Sequence, residues 1–366
     1  MRRTGRAVIL AAAAAAMALG IFGMATHEHA GSKATVGQRS DAKEDAAPEI
    51  GGADEPKVYK VGIVQYVDDA SLNQIVKAIS KELDQKGAAL GVTFAYEAYT
   101  FNGQADQTIL AQIGAELLAD EVDIIIPVAT PAAVVMQTVT EEREIPIVFS
   151  AVSDPVGAGL LADMDAPGGR ITGTSDAIDT RHIFELMLAA EPEIGKVGFL
   201  YDKGQASSLG AIQEAKEYCR AKGIVFVEKT GTNTSEISAA ADALVAERVD
   251  AVFTPQDNTV MAAELAIFEK FVEAGIPHYT GADSFARNGA FCGSGVNYTE
   301  LGTQTADMAV QILVNGKEPA KMPVQTPESG IVTVNTETAR AVGIDPAIFA
   351  DRCKELRETV TAEEFE

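Results

Sequence analysis

The feature that most constrains the fold is a repeated alternation of apolar, β-branched runs with amphipathic segments. Residues 58–66, 92–98, 123–128 and 146–150 have the composition of buried strands. Strands that are apolar throughout and joined by helices are typical of a parallel sheet covered on both faces. The apolar spacing between these strands predicts helices at residues 71–87, 104–119 and 131–142.

After a glycine-rich passage at residues 157–173, a second cycle begins, so the sequence predicts an α/β protein with two doubly wound parallel-sheet lobes. A strand at 291–296, a helix at 300–315 and a strand at 331–334 follow, and they are too few for a third core. We expect them to complete the two lobes, which makes the hinge multi-stranded. The second cycle comprises strands at 196–201, 224–228, 250–254 and 277–280 and helices at 179–190, 205–222, 235–247 and 258–274.

The first 25 residues are typical of an export signal. Three arginines precede an apolar run at residues 7–22, and Gly23-Met24-Ala25 supplies the small residues of a cleavage site. We therefore predict a signal peptide at residues 1–25 and an exported, periplasmic or extracytoplasmic protein. An uncleaved membrane anchor is the alternative, because the run just reaches bilayer-spanning length. Residues 26–56, rich in small and charged residues, predict a flexible spacer.

Charge and composition exclude several classes of function. The chain has 53 Asp+Glu against 29 Lys+Arg, a net charge of −24, which argues against nucleic acid and against an anionic membrane surface as partners. Three cysteines without a CxxC and four histidines leave little material for a metal site. We expect no metal and no cofactor.

Enzyme motifs fail as well. Residues 157–162 match G-x-G-x-x-A, but Asp154-Pro155 interrupts the preceding strand and Pro167-Gly168-Gly169 leaves no room for the following helix. The chain contains no GxSxG, and no histidine has a local motif that suggests a nucleophile. The sequence does not predict an enzyme.

Two loops at the carboxyl ends of predicted strands carry the most informative residues, since ligands bind there in open α/β sheets. Thr130-Pro131 starts a helix, either as an ordinary cap or as an anion site of free amides and a positive helix end. In the second lobe, Asp257 is either an N-cap or a ligand group, and Asp283 is either a turn residue or a ligand group. Two carboxylates opposite a carboxylate-friendly helix end would complement a zwitterion.

Seven segments, in this order, carry a specific resemblance to one family: IVQY, VATPAAVV, PIVFSAVSDPVGAGL, PGGRITGTSD, VGFLYD, DAVFTPQDNTV and ELGTQTADMAVQIL. From about residue 58 to 344, the chain resembles the ABC-transporter substrate-binding proteins of the tryptophan/tyrosine type, which have the type I periplasmic-binding fold. The resemblance implies a receptor that delivers a small solute to permease and ATPase subunits. The implied ligand is an aromatic amino acid: tryptophan, tyrosine or phenylalanine.

The resemblance also implies the division into lobes. The N-terminal lobe would comprise residues 57–150 plus 297–322, and the C-terminal lobe residues 151–296 plus 323–345. Residues 346–366 would form a C-terminal tail, and we expect a monomer. The chain would cross between the lobes near residues 150–153, residues 296–298 and Pro323.

Binding roles for the amino-acid ligand follow from the same resemblance. Thr130 and the amides of Ala132 and Ala133, helped by Ser150, would hold the ligand carboxylate. The ammonium group would be held by Asp257, together with Asn258 or Asp283.

The aromatic residues Tyr66, Phe101 and Tyr201 follow or end strands and could stack on an apolar ring. Gln65 is a further polar candidate. The chain departs from the family pattern at residues 101–104, Phe-Asn-Gly-Gln, beside the expected cleft. It also lacks the lipobox cysteine of Gram-positive relatives, which favours a free periplasmic protein or an uncleaved anchor.

Other functions are also compatible with the sequence. The same kind of receptor could bind a branched-chain amino acid, a purine or a sugar. A ligand-sensing domain of a signalling system, as in repressors of this fold, is a further alternative. It would need a basic DNA-binding segment, whereas residues 1–57 supply an export signal and a spacer.

Overall fold

Two β-sheets covered by helices organise residues 56–361, which are the residues that the computed structural model describes. The predicted signal peptide and nearly all of the predicted spacer lie outside this range. Within it, no helix is long and apolar enough to cross a membrane.

The first sheet is entirely parallel and has the order β2-β1-β4-β5-β6, with β3 pairing on β1 beyond the end of β2. Helices on its two faces bury a core in which Ile63, Ile75 and Ile126 are fully enclosed. The strands are β1 (Val58–Gln65), β2 (Thr93–Ala95), β3 (Thr100–Asn102), β4 (Ile124–Val128), β5 (Ile147–Phe149) and β6 (Ile171–Gly173). The first helices are α1 (Ala70–Leu90), α2 (Gln107–Ala119) and α3 (Thr130–Val139).

The second sheet has seven strands in the order β13-β12-β11-β10-β9-β7-β8, parallel except for the β11–β12 pair. Its strands are β7 (Lys196–Tyr201), β8 (Val225–Thr230), β9 (Ala251–Thr254), β10 (His278–Thr280), β11 (Cys292–Gly295), β12 (Ile331–Asn335) and β13 (Glu355–Thr359). The remaining helices are α4 (Thr180–Ala190), α5 (Ala206–Lys222), α6 (Thr234–Ala246), α7 (Asn258–Met261), α8 (Glu264–Glu273), α9 (Asp283–Arg287), α10 (Tyr298–Leu313) and α11 (Thr336–Val342). The predicted two-lobed α/β architecture is confirmed.

Three details differ from the sequence prediction. Strand β6 belongs to the first sheet, so that sheet extends past the boundary predicted at residue 150. Strand β13 pairs with β12 at the edge of the second sheet, so residues 355–359 are not a tail. Its charged sequence, ELRET, suits an exposed edge strand but lacks the apolar run of a buried one. The helix predicted at 258–274 is divided into α7 and α8, and no glycine or proline accounts for the break.

The chain passes between the two sheets three times: after β6, between β11 and α10, and before β12. The first and third passages are hydrogen-bonded to each other, because the Ser175 amide donates to the Gln325 carbonyl at 2.7 Å and the Gln325 amide donates to Gly173 at 3.0 Å. Such paired crossings form a hinge with several strands.

Helix α10 follows the second crossing and packs against α1 of the first lobe. Gly302 makes this approach possible, because a Cβ there would lie 2.6 Å from the backbone oxygen of Ile75 and 2.8 Å from Ala78 Cβ. The absence of a side chain at Gly302 therefore sets the distance between the two helices.

We predict that Gly302→Ala lowers the free energy of unfolding by about 1–3 kcal/mol, although alanine is the better helix former. The backbone of α1 must shift to admit the methyl group. Thr303→Ala on the adjacent position is the matched control and should change the free energy little. Urea unfolding followed by circular dichroism measures both, and equal stability of Gly302→Ala and the parent would contradict this packing.

Candidate ligand-binding site

A cavity lies where the carboxyl ends of the strands of both sheets meet. Its volume is about 40 Å³, the space of a few water molecules, so a larger ligand requires the lobes to part. Residues of the first lobe, of the second lobe and of the crossing segments line it together. They include Asp69, Leu72, Ala129, Thr130, Ala151 and Ser153 from the first lobe, Ser207, Gln256, Asp257, Asn258, Met261, Ser284 and Phe285 from the second, and Asp176 and Tyr298 from the first and second crossings and their flanks.

Thr130 lines the cavity without capping α3. The N-cap is Ala129, and the Thr130 hydroxyl is buried without a hydrogen-bond partner among residues 56–361. The prediction that Thr130 is an ordinary N-cap is therefore wrong. Ala129 has a φ of 81° and Ala151, also in the cavity wall, has a φ of 55°. Strained backbone of this kind is concentrated at functional sites.

Ser207, on the first turn of α5 in the second lobe, lines the same cavity as Thr130 and resembles it in its hydrogen bonding. Its hydroxyl is also buried and has no partner within the described part of the chain. Two hydroxyls from opposite lobes thus have hydrogen-bonding capacity left for a third molecule.

The other residues predicted to hold a carboxylate do not line the cavity. Ala132 and Ala133 are fully buried in the core of the first lobe, and the Ala133 amide donates to the Ala129 carbonyl at 3.1 Å. The Ser150 hydroxyl lies 2.8 Å from that of Thr305, which in turn lies 2.8 Å from that of Thr174. This buried cluster lies where strand β5 ends, the first crossing begins and α10 passes.

Three carboxylates line the cavity: Asp69, Asp176 and Asp257. Burial raises the pKa of each to about 6, against hydrogen bonds that lower it. None of the cavity-lining residues is a lysine or an arginine. The wall is therefore acidic, and a cation brought by a ligand would stabilise the ionised carboxylates.

The two predicted partners of Asp257 differ in position. Asn258 lines the cavity and donates to Gln205 Oε1 at 3.1 Å. Asp283 does not line it, although its neighbours on both sides do. Instead, Asp283 accepts a 2.7 Å hydrogen bond from the Ser71 hydroxyl, which joins α9 of the second lobe to α1 of the first.

The predicted stacking residues lie outside the cavity. Tyr201 points into the core of the second lobe and donates to Glu228 at 2.6 Å, and Phe101 packs on the core of the first. Gln65 donates to the Val67 carbonyl at 2.6 Å and so holds a loop.

Tyr66 does not line the cavity, and its hydroxyl donates to the Ala105 carbonyl at 3.4 Å. Burial raises the pKa of Tyr66, a hydrogen bond with Gln205 opposes the rise, and the charges of Asp202 and Asp257 add to it. The aromatic rings that do line the cavity are Phe285 and Tyr298.

Several residues that line the cavity were not predicted from the sequence. Asp176 ends the segment PGGRITGTSD, and its position before a predicted helix was a usable signal. Phe285 and Tyr298 had none: Phe285 lies in a helix of five residues and Tyr298 is the first residue of α10, so the tertiary fold decides which way each side chain faces.

Comparison with known proteins identifies the family, because residues 60–347 match the model described as ABC transporter substrate binding protein. The chain belongs to this family. It is 28% identical over 313 residues to the tyrosine-binding protein of Clostridioides difficile, covering 86% of this chain and 89% of that one. Family members are solute-binding receptors and not enzymes.

Solved structures agree. The ABC domain of Streptococcus pneumonia in complex with L-Trp is 28% identical and has a TM-score of 0.75, covering 82% of this chain and all of that one. The ligand-free, open structure of a Clostridium difficile substrate-binding protein with adhesive properties is also 28% identical, covering 83% of this chain and all of that one, but has a TM-score of 0.63. Type I periplasmic binding proteins at 13–16% identity share the fold alone.

The raised pKa values of Asp69, Asp176 and Asp257 predict how pH affects stability. Each pKa of about 6 in the folded protein lies above the ordinary value of 3.8, so the contribution of each group to stability falls as pH rises from about 4 to 6. We expect Asp176→Asn to gain stability relative to the parent over this range, by about 1–3 kcal/mol at pH 7. Urea unfolding at pH 4.5 and 7 tests this, and a difference independent of pH would contradict it.

Proposed function

We propose that this receptor closes its two lobes on an aromatic amino acid and presents it to an ABC importer. The observation that carries the proposal is the polarity of the cavity. Asp69, Asp176 and Asp257 supply negative charge without a lining cation, and the Thr130 hydroxyl, which has no partner in the described part of the chain, lies at the N-terminal end of α3. An ammonium group and a carboxylate on one small molecule match these two features.

Apolar side chains around the cavity support a ring-bearing ligand. Leu72 contributes from the first lobe, and Met261 and Phe285 contribute from the second. Aromatic and thioether groups make favourable contacts with an aromatic ring, each on the order of 1 kcal/mol beyond area burial. The ligands named for the tyrosine-binding relative and for the L-Trp complex are of this class.

Contacts between the two lobes stabilise the closed state. The Ser71 hydroxyl reaches Asp283, and a ligand that contacts both walls adds differential binding energy to the closed state. The described arrangement is more similar to the L-Trp complex than to the open, ligand-free relative. The predicted export by a cleaved signal and the monomeric state belong to this proposal.

No tryptophan occurs in the chain, so titration with L-tryptophan gives a direct test. All indole fluorescence comes from the ligand, and we expect its emission to shift as the ring leaves water. A dissociation constant of about micromolar or below, roughly −8 kcal/mol, is expected for tryptophan, tyrosine or phenylalanine. Tyrosine and phenylalanine are followed by calorimetry. Stabilisation by leucine, adenine or a sugar, with none by the three aromatic amino acids, would contradict the proposal.

The role of Thr130 is tested by replacing its hydroxyl. We expect Thr130→Val to leave the ligand-free protein equally or more stable, because the hydroxyl is buried without a partner among residues 56–361, and to weaken amino-acid binding about 5- to 30-fold. Thr140→Val at the other end of α3 is the control. Its hydroxyl donates to the Met136 carbonyl at 2.6 Å, so this variant should lose about 1 kcal/mol of stability and keep its affinity. Equal affinities of Thr130→Val and the parent would remove Thr130 from the site.

A further inference from the structure

The three cavity carboxylates differ in how many hydrogen bonds they already accept. A carboxylate accepts about four. Asp257 receives four from its own lobe: from the amides of Thr259 and Val260 at 3.1 and 3.0 Å, from the Asp202 amide at 2.8 Å and from the Ser208 hydroxyl at 2.7 Å. Asp257 is the N-cap of α7 and has no acceptor position left.

Asp69 is also largely engaged. Its Oδ1 accepts from the amides of Ser71 and Leu72 at 2.9 and 3.1 Å, as the N-cap of α1. The nearby Ser284 hydroxyl, across the lobes, lowers the pKa of the Asp69 carboxyl and so opposes the effect of burial. Asp69 therefore fixes a helix end and contributes to the contact between the lobes.

Asp176 is the exception. Within residues 56–361, the Ser153 hydroxyl donates to its Oδ1 at 3.0 Å and the backbone amide of Asp176 adds a second hydrogen bond, so Asp176 accepts fewer hydrogen bonds than Asp69 or Asp257. The side chain is 5% exposed and lines the cavity. A buried carboxylate with acceptor positions left is a strong acceptor for an ammonium group.

The backbone around Asp176 is held from both sides. The Gln256 side chain donates to the Asp176 carbonyl, and the Ser175 amide donates to Gln325 in the third crossing. The backbone that carries this carboxylate is therefore tied to the second lobe through Gln256 and to the third crossing through Gln325.

We infer that Asp176, on the hinge, is the residue that binds the ammonium group of the ligand, and that Asp257 holds the second-lobe wall in shape. This assignment rests on the proposed function. It replaces the role predicted for Asp257 and separates two effects: loss of Asp176 removes a ligand contact, whereas loss of Asp257 removes a helix cap.

The experiment compares Asp176→Asn with Asp257→Asn in calorimetric titrations with L-tryptophan and with 3-(indol-3-yl)propionate, which lacks the ammonium group. We expect Asp176→Asn to weaken tryptophan binding at least about 30-fold and to leave the propionate affinity unchanged or higher. Asp257→Asn should lower the melting temperature and weaken tryptophan binding by a clearly smaller factor than Asp176→Asn, because Asp257 adds charge to the cavity wall but has no acceptor position left for the ammonium group. Propionate binding and a cooperative melting curve verify that each variant is folded.

An unchanged tryptophan affinity in folded Asp176→Asn would overturn the assignment alone. A loss of affinity in folded Asp257→Asn as large as that in Asp176→Asn would also overturn it. If either asparagine variant does not fold, the corresponding alanine variant enters the same titration and is judged by the same criteria. Failure of the parent protein to bind any aromatic amino acid would instead overturn the proposed function.

Discussion

The closed cavity depends on one electrostatic constraint: three carboxylates are enclosed without a lining cation. Removal from water penalises the charged form of each, which is why the pKa of Asp69, Asp176 and Asp257 rises to about 6. Lobe closure and ionisation therefore oppose each other near neutral pH. A ligand that brings a positive charge stabilises the ionised carboxylates in the closed form. The same cationic group therefore couples binding to closure.

The N-terminal ends of two helices stabilise carboxylates in this acidic wall. Asp69 caps α1 and Asp257 caps α7, so each carboxylate faces free amides and the positive end of a helix dipole. The parallel sheets bring these helix starts to one edge, because every strand of a βα unit ends there. The chain thus accumulates charge in the cleft by the same capping interactions that begin its helices. Asp176 caps no helix, and this difference leaves it available.

The architecture was predictable from sequence because buried parallel strands are uninterrupted apolar runs, as in β4 and β9. The positions of the predicted stacking residues could not be derived in the same way, because the pleat decides which face of the sheet a side chain at the end of a strand occupies. Tyr201 shares the parity of Val197 and Phe199, and all three enter the core of the second lobe. Asp257 lines the cavity, and only the count of its donors distinguishes a capping role from a binding role.

Selectivity for a zwitterion can arise from closure itself. In an open cleft, water hydrates the hydroxyls of Thr130 and Ser207 and the carboxylate of Asp176, whereas in the closed form both hydroxyls lack a partner within residues 56–361. A buried polar group left unsatisfied costs about 1–3 kcal/mol, and a charged one costs more. A ligand with only one charged group satisfies some of these polar groups. A zwitterion, which has an ammonium group and a carboxylate, satisfies more of them. The closed state thus discriminates against incomplete ligands even where their rings fit equally well.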